Sequence, residues 1–347
     1  TIFMKIKAVD IARQLGISKA TVSLALNGKS GVSSETRDMI LKCREEMESQ
    51  LCNMLTSVKD EEQPVPAGMT IKIIMFDRKL GIICDPALNI WTEMLRIFDG
   101  EARKHGYSIG ITYVGNDEME IQRVVEECNS PAVAGVLLYA TEMAEHDFDK
   151  GLRAIRKPMV IFDYDAGNRY HSVVIDNETA VQKAVEFLVS RGCRRIEYLS
   201  QRIEMYNFER RRMGFIAGIH KAGLDVEKCP IVPVGTTIES VDSFMRDWLL
   251  EHSLPDAFIM ENYQISIGAI KALNERKIQV PKQISILGVD ELPSYMTGGV
   301  ELDCIRVAHT DRAYVTMELL LREIQSPSNT KFKVASRCEL ILGESVR

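Results

Sequence analysis

The residues with the clearest chemical potential form a short polar run near the start of the chain. Ser18 can cap a helix, and the helix that follows has its apolar side chains at Val22, Ala25 and Leu26. Short polar side chains at the start of such a helix can enter the DNA major groove and contact base edges. The run therefore predicts DNA recognition; the alternative is an ordinary helical hairpin whose serines and threonines serve only as caps. The side chains left facing outward are Lys19, Ala20, Thr21, Ser23 and Leu24.

Two further short helices must position this run. Before it, Val9, Ala12 and Leu15 recur at helical spacing, and Gly16 allows a tight turn that Ile17 fills. After it, a serine pair can cap a third helix. That pair is Ser33 and Ser34, and the third helix runs through Thr36, Met39, Ile40 and Cys43. The start of the chain is therefore predicted to be a three-helix head.

Charge is distributed unevenly along the chain. Residues 1–44 carry eight basic and three acidic side chains, whereas the whole chain has a net charge of −6. A small basic head on an acidic body suits binding of phosphates by the head alone. The alternative is chance clustering of lysine and arginine on a solvated face.

Cysteine usage and the missing motifs narrow the class of protein. The eight cysteines are scattered singly, without a Cys-x-x-Cys pair, which predicts reduced thiols in a cytosol. The sequence has no recognisable signal peptide and no apolar run near the ~18 residues of a membrane span, so we expect a cytoplasmic protein. Glycine-rich nucleotide loops, HExxH and the nucleophile elbow are missing as well. We expect neither an enzyme nor a bound metal or cofactor.

The rest of the chain predicts an α/β core. The charged and then proline-rich segment Val58–Gly68 is typical of a linker. From Ile71 onward, apolar strands alternate with amphipathic helices, which indicates two doubly wound parallel-sheet subdomains with a cleft between them. The predicted layout is a helix-turn-helix head at 1–48, a hinge and linker at 49–69 and a two-lobed core at 70–347. We expect the N-lobe at about 70–163 and 292–325, and the C-lobe at about 164–291 and 326–347.

Several blocks of sequence resemble one family. VDIARQLGISKATVSLALNG at Val9–Gly28 is followed by ERRRMGFIAGIHKAGL at Glu209–Leu224, PDAFIMENYQISIGAIKAL at Pro255–Leu273 and VPKQISILGVDE at Val280–Glu291. In this order and spacing they resemble the lactose-repressor/galactose-repressor (LacI/GalR) family of bacterial transcription regulators. The resemblance implies a helix-turn-helix head, a hinge and a periplasmic-binding-protein-like (type I) core that dimerises and senses a small molecule.

In the head, the resemblance implies two sets of DNA contacts. Lys19, Ala20 and Leu24 match the base-reading positions, where lysine can donate to guanine and the apolar pair can contact a thymine methyl. Family members often have arginine or histidine where Leu24 stands, and the alternative for this leucine is a packed core residue. Hydroxyl and amide side chains suit backbone phosphates because they donate without demanding a particular base. The matching phosphate positions are Ser18, Thr21, Ser23, Asn27, Ser33 and Thr36.

At the hinge, the chain departs from the family pattern. The usual proline and arginine are missing, and the acidic run Asp60–Glu62 is unfavourable beside phosphates. Leu55 or Val58 can supply the apolar wedge that relatives insert into the minor groove. We expect the hinge to contribute less to operator binding and to kink the DNA less than in relatives. The alternative is that Leu55 and Val58 insert into the minor groove as the family's wedge does.

In the core, six residues match the family's effector contacts. Arg211 can hold a carboxylate or vicinal hydroxyls bidentately, whereas Arg210 and Arg212 are expected to be solvated. Trp91 can stack on a sugar or purine, with core packing as the alternative. For the polar residues among the six, the alternative role is that of an exposed turn residue or a local helix cap. The six are Trp91, Thr141, Asp163, Arg211, Asn262 and Asp290.

The sequence therefore predicts a homodimeric transcription regulator, more specifically a repressor. Its partners are expected to be double-stranded operator DNA and a small polar effector, a sugar or sugar derivative, with no membrane partner. The alternative is a cytosolic sugar-binding or metabolic protein that shares the two-lobed core without operator-specific DNA binding.

Overall fold

The chain separates into two units, Thr1–Val65 and Pro66–Arg347. The structure, a computed structural model, describes residues 12, 15, 17–26, 32, 33, 36–43, 68–80, 90–144 and 146–347. No helix among these residues is long and apolar enough to cross a membrane.

The first unit contains the predicted helix with the polar run. This helix, α1, spans Lys19–Leu26, and residues 36–43 form the next helix. Val22 and Ile40 are fully buried in an apolar cluster between these helices. Ser18 Oγ accepts a hydrogen bond from the Thr21 backbone N at 3.1 Å. The predicted cap and the predicted buried face of α1 are therefore confirmed.

Strands and helices alternate through the second unit. The strands are β1 (Thr70–Phe76), β2 (Ser108–Val114), β3 (Val133–Tyr139), β4 (Met159–Phe162), β5 (His171–Ile175), β6 (Ile196–Ser200), β7 (Ile231–Pro233), β8 (Ala257–Met260), β9 (Ser285–Val289), β10 (Asp303–Arg306), β11 (Lys333–Ser336) and β12 (Glu339–Ile341). The helices are α2 (Ile90–Lys104), α3 (Glu118–Cys128), α4 (Asn177–Ser190), α5 (Tyr206–Lys221), α6 (Ile238–Glu251), α7 (Tyr263–Glu275) and α8 (His309–Gln325).

In the part of this unit that the structure describes, the strands form two six-stranded sheets. The first has the order β11-β5-β4-β3-β1-β2, with every pair parallel. The second has the order β12-β10-β9-β8-β6-β7 and is parallel apart from the β10–β12 pair. Each strand of the first sheet has a counterpart at the same place in the second sheet; β4, for example, corresponds to β9. The predicted fold class, two doubly wound parallel sheets, is confirmed.

Three strands lie in the other lobe from the one predicted. β5 pairs with β4, with His171 opposite Val160, so it belongs to the first sheet although 164–291 was expected in the C-lobe. β11 likewise joins the first sheet, and β10 joins the second. Each crossing between lobes therefore comes one strand later than predicted. Sheet membership depends on hydrogen bonds to a neighbouring strand, which a short apolar run does not specify by itself.

Both sheets have continuous apolar strands at their centres. All seven residues of β3 and all five residues of β9 are buried. Strands that are buried on both faces lack the alternating pattern of a half-exposed strand. The first polar side chains after these two strands, Thr141 after β3 and Asp290 after β9, therefore stand out in the sequence.

Candidate functional site

A cavity lies between the two lobes of the second unit, at the carboxyl ends of their parallel strands. It encloses about 730 Å³ of space free of atoms, including open solvent at its mouth. All six residues selected from the sequence for effector contacts lie in its wall. The full lining is Ile90, Trp91, Tyr139, Thr141, Asp163, Ile175, Met205, Asn207, Phe208, Arg211, Asn262, Tyr263, Asp290 and His309.

Two aspartates occupy equivalent places in the two lobes. Asp163 follows β4 and Asp290 follows β9, which hold the same position in the two strand orders. Both have a left-handed backbone, with φ of 68° and 77°, a region in which non-glycine residues are uncommon. Each backbone N–H donates to the next strand, to Val173 O at 2.9 Å and to Ile305 O at 3.0 Å. This repeated turn presents one carboxylate from each lobe to the cavity.

The partners of the two carboxylates differ. Thr141 Oγ1 donates to one oxygen of Asp163 at 2.5 Å, and Arg312 Nη2 donates to the other. His309 Nε2 lies 4.0 Å from an oxygen of Asp290. Neither Arg312 nor His309 was predicted from the sequence as a site residue. The signal available for Arg312 was a charged residue within the apolar stripe of α8, where Ala313 and Met317 are buried.

Arg211 brings a buried guanidinium to the cavity wall. It is 5% exposed and donates from Nε to Asn177 Oδ1 at 2.9 Å and from Nη1 to the Glu261 backbone O at 2.6 Å. Its guanidinium also lies 5.6 Å from the centre of the Phe208 ring. Within the described residues no carboxylate oxygen lies close enough to form an ion pair with it. Its positive charge is therefore available to a ligand.

Asn262 combines a local cap with a free donor. Its Oδ1 accepts from the Ile265 backbone N at 3.0 Å and so caps α7. Its buried Nδ2 has no hydrogen-bond partner among the described residues. A buried amide donor without a partner is costly unless a ligand or water accepts from it. The cap alternative considered from the sequence is correct for the oxygen and leaves the nitrogen for binding.

Trp91 contributes an aromatic surface to the cavity. Its ring meets Tyr139 edge to face at 5.0 Å between centroids and lies 6.3 Å from Phe98. Tyr139 in turn stacks on Phe162 at 5.2 Å. The indole is half-buried and lines the cavity as well. The two alternatives for Trp91, core packing and a place in the cleft, are therefore combined in one side chain.

The expectation that Arg212 is solvated was wrong. Its Nε lies 2.9 Å from Oε1 of Glu261, whose side chain is fully buried. Arg212 Nη2 also donates to the backbone O of Gln201 at 2.7 Å. Burial raises the pKa of Glu261, and the hydrogen bond from Arg212 opposes that shift. Arg210, by contrast, is partly exposed and pairs with Glu178 at 2.9 Å.

His309 gives the cavity a group whose charge should depend on pH. Burial and the positive charge of Arg312 lower the pKa of His309, while Asp290 and Asp163 act in the opposite direction. The folded protein then binds this proton more weakly than the unfolded chain does. Stability should therefore fall as pH drops below the ordinary histidine value of about 6.5.

We expect the Tm of the ligand-free protein to fall more steeply between about pH 7 and pH 5 than the Tm of His309→Gln. Thermal denaturation across this range measures the difference. His220→Gln, at an exposed position on α5, is the matched control and should follow the wild type. Parallel curves for the wild type and His309→Gln would contradict the prediction.

In the head, the structure describes most of the predicted DNA-contacting residues. Lys19 and Ala20 lie in the first turn of α1, Ser18 and Ser23 are exposed, and Leu24 lies outside the apolar cluster of the head. Ser33 Oγ accepts from the Thr36 backbone N at 3.2 Å and thus caps the following helix. The packed-core alternative for Leu24 is therefore not favoured. Asn27, Leu55 and Val58 lie outside the described residues.

Two parts of the chain match known protein families. Residues 7–48 match the bacterial regulatory proteins of the lacI family, and residues 185–346 match the periplasmic binding protein-like domain. The chain combines a DNA-binding domain of the lacI family with a periplasmic-binding-protein-like domain. The transcriptional repressor CytR of Escherichia coli K12 is 26% identical over 341 residues, covering 97% of this chain and 95% of that protein. The repressor PurR of Pasteurella multocida is 22% identical over 339 residues, covering 97% and 98%. These relatives are transcriptional repressors and not enzymes.

Solved structures of LacI-family regulators have the same fold. A complex of the regulator CelR with cellobiose matches with a TM-score of 0.69 at 18% identity, covering 98% of this chain and all of that one. The lac repressor dimer bound to operator and the anti-inducer ONPF matches with a TM-score of 0.67 at 17% identity, covering 98% of both chains.

Proposed function

We propose that this protein is a LacI-family transcription repressor whose affinity for an operator is changed by a small polar ligand bound between its lobes. The observation that carries the proposal is the convergence of six residues, chosen from the sequence, on one cavity between two equivalent sheets. The proposed layout is a DNA-binding head at 1–48, a hinge at 49–69 and the two-lobed core at 70–347. The match of residues 7–48 to the lacI family argues against a metabolic protein that merely shares the core.

The chemistry of the cavity supports a sugar or sugar derivative as the ligand. Asp290 and Asp163 accept hydrogen bonds, Arg211 and Asn262 donate them, and Trp91 offers an aromatic face. Polyhydroxy compounds present donors and acceptors around a ring whose faces can stack on an indole. Among the structural neighbours, CelR binds cellobiose and a regulator from Enterococcus faecium holds ribose.

We propose that the working unit is a homodimer in the bacterial cytoplasm, where its operator lies. A dimer with two-fold symmetry presents two recognition helices to two half-sites about one helical turn apart. The dimer of the lac repressor on its operator supports this arrangement. A mass near four subunits in light scattering would contradict it.

The DNA-binding half of the proposal is tested with operators selected from random duplexes and measured by gel shift. Lys19→Ala should relax the preference at one base pair and reduce the slope of log affinity against log salt by about one. Thr21→Ala should weaken binding to all sequences alike, because a phosphate contact carries no sequence information. Lys183→Ala, at an exposed position on α4, is the control for loss of a positive charge. Unchanged preference and slope in Lys19→Ala would overturn the base-reading role.

The ligand-binding half is tested by thermal shift with a panel of sugars and purines, followed by gel shift with each hit. A compound at 100 times its Kd stabilises the protein by about 2.7 kcal/mol. The same compound should then change operator affinity. Stabilisation without any change in operator affinity would refute coupling between cleft and head.

A further inference from the structure

The two equivalent aspartates differ in one respect that neither their strands nor their turns explain. Arg312 is 1% exposed and donates to Asp163, and its guanidinium lies 4.2 Å from the centre of the Phe162 ring. Asp290 has no comparable partner among the described residues, where His309 at 4.0 Å is its ion-pair neighbour. Among the described residues, a buried arginine therefore pairs with the cavity aspartate of one lobe only.

Arg312 is held rigidly by its place in the fold. It lies near the start of α8, just after the chain crosses from β10 of the second lobe back to the first. Its Nη2 also lies 3.5 Å from the Val173 backbone O, the same carbonyl that accepts from the Asp163 backbone N. Its Nε and Nη1 are buried without a hydrogen-bond partner among the described residues. The guanidinium is thus fixed by the aromatic ring beneath it and by Asp163.

Stability is a poor explanation for such a pair. Removing two charges from water carries a desolvation penalty, and apolar replacements of buried ion pairs are often neutral or stabilising. The two unpartnered N–H groups of Arg312 add to that cost. A role in presenting the Asp163 carboxylate accounts for the arrangement better.

We propose that Arg312 is the positioning residue that fixes Asp163 for effector binding, whereas Asp290 remains free to adjust to the ligand. With Thr141 on one oxygen and Arg312 on the other, the Asp163 carboxylate is oriented before a ligand arrives. An oriented group loses less conformational freedom on binding than a mobile one. The inference rests on the proposed function, because it assigns Arg312 a part in the same ligand site.

The test is a pair of double-mutant cycles on the full chain, with Kd measured by calorimetry. One cycle combines Arg312→Met with Asp163→Asn, and the matched cycle combines Arg312→Met with Asp290→Asn. The probe is the member of a panel of D-ribose, cellobiose and adenosine that raises the Tm of the wild type most. Arg312→Met should weaken binding at least about tenfold, which is the loss expected for a charge-assisted contact.

The two cycles should differ. The Arg312→Met, Asp163→Asn double variant should bind no more weakly than Asp163→Asn alone, because Arg312 acts through that carboxylate. With Asp290→Asn the two effects should multiply. Wild-type affinity in Arg312→Met, or effects that multiply in the Asp163 cycle, would overturn the inference while leaving the ligand site intact.

Two further outcomes would overturn the proposal, and a third calls for a second variant. Loss of operator affinity by Arg312→Met without any probe would mark Arg312 as a structural residue and overturn the proposal. If Arg312→Met does not fold, Arg312→Lys, which keeps the charge and loses the fork, enters the same cycles with the same criteria. If no member of the panel raises the Tm of the wild type, the proposed ligand class fails and this inference falls with it.

Discussion

Arg211→Ala should abolish the response to the effector and leave ligand-free operator binding intact. The substitution removes a buried positive charge that has no carboxylate partner among the described residues and lines the cavity. Loss of a shielded, charge-assisted contact costs roughly 2–5 kcal/mol of affinity. Calorimetry with a compound that stabilises the wild type measures this loss, and gel shift measures the response.

The neighbouring Arg210→Ala is the matched control. Arg210 pairs with Glu178 at a partly exposed position on the same helix, so its removal should leave ligand affinity nearly unchanged. Arg211→Ala also leaves Asn177 Oδ1 and the Glu261 backbone O without their donors, so some loss of stability is expected. A change in ligand affinity below about 1 kcal/mol would show that Arg211 is only a structural residue.

Glu261→Ala should destabilise the core by about 3–5 kcal/mol, the cost of breaking a buried ion pair by removing one partner. Glu261 is fully buried and accepts from Arg212 Nε at 2.9 Å and from the Gln201 backbone N at 2.8 Å. Without it, Arg212 has no carboxylate within ion-pair distance among the described residues. Urea denaturation of the full chain, followed by circular dichroism, measures the shift.

Glu186→Ala tests whether any lost ion pair has this effect. Glu186 pairs with Lys221 at 2.8 Å on the surface of α4, and both side chains are more than 40% exposed. Surface pairs contribute at most about 1 kcal/mol, so this variant should unfold near the wild type. Similar shifts for Glu186→Ala and Glu261→Ala would refute the distinction between the two pairs.

The sequence predicted elements best where their burial follows a simple period. The spacing of apolar residues predicts a helix over Glu118–Cys128 and a strand over Met159–Phe162, and the structure has both elements with these bounds. The three-residue strands β7 and β12 were not predicted, because so few residues carry no period that distinguishes them from a loop. Helix α8 was also missed, since Arg312 interrupts its apolar stripe.

The sequence by itself determined the family resemblance, the fold class and the six polar and aromatic residues that meet in the cavity. Those residues could be chosen because they match the effector contacts that the family resemblance implies. Two of them, Asp163 and Asp290, also follow apolar strands, and the carboxyl ends of parallel strands share one edge of a sheet. Only the tertiary structure decided which partners they have. Arg312 lies 149 residues from Asp163, and Glu261 lies 49 residues from Arg212. Such pairs depend on the order of strands in each sheet and on where the chain crosses between lobes, and local periodicity encodes neither.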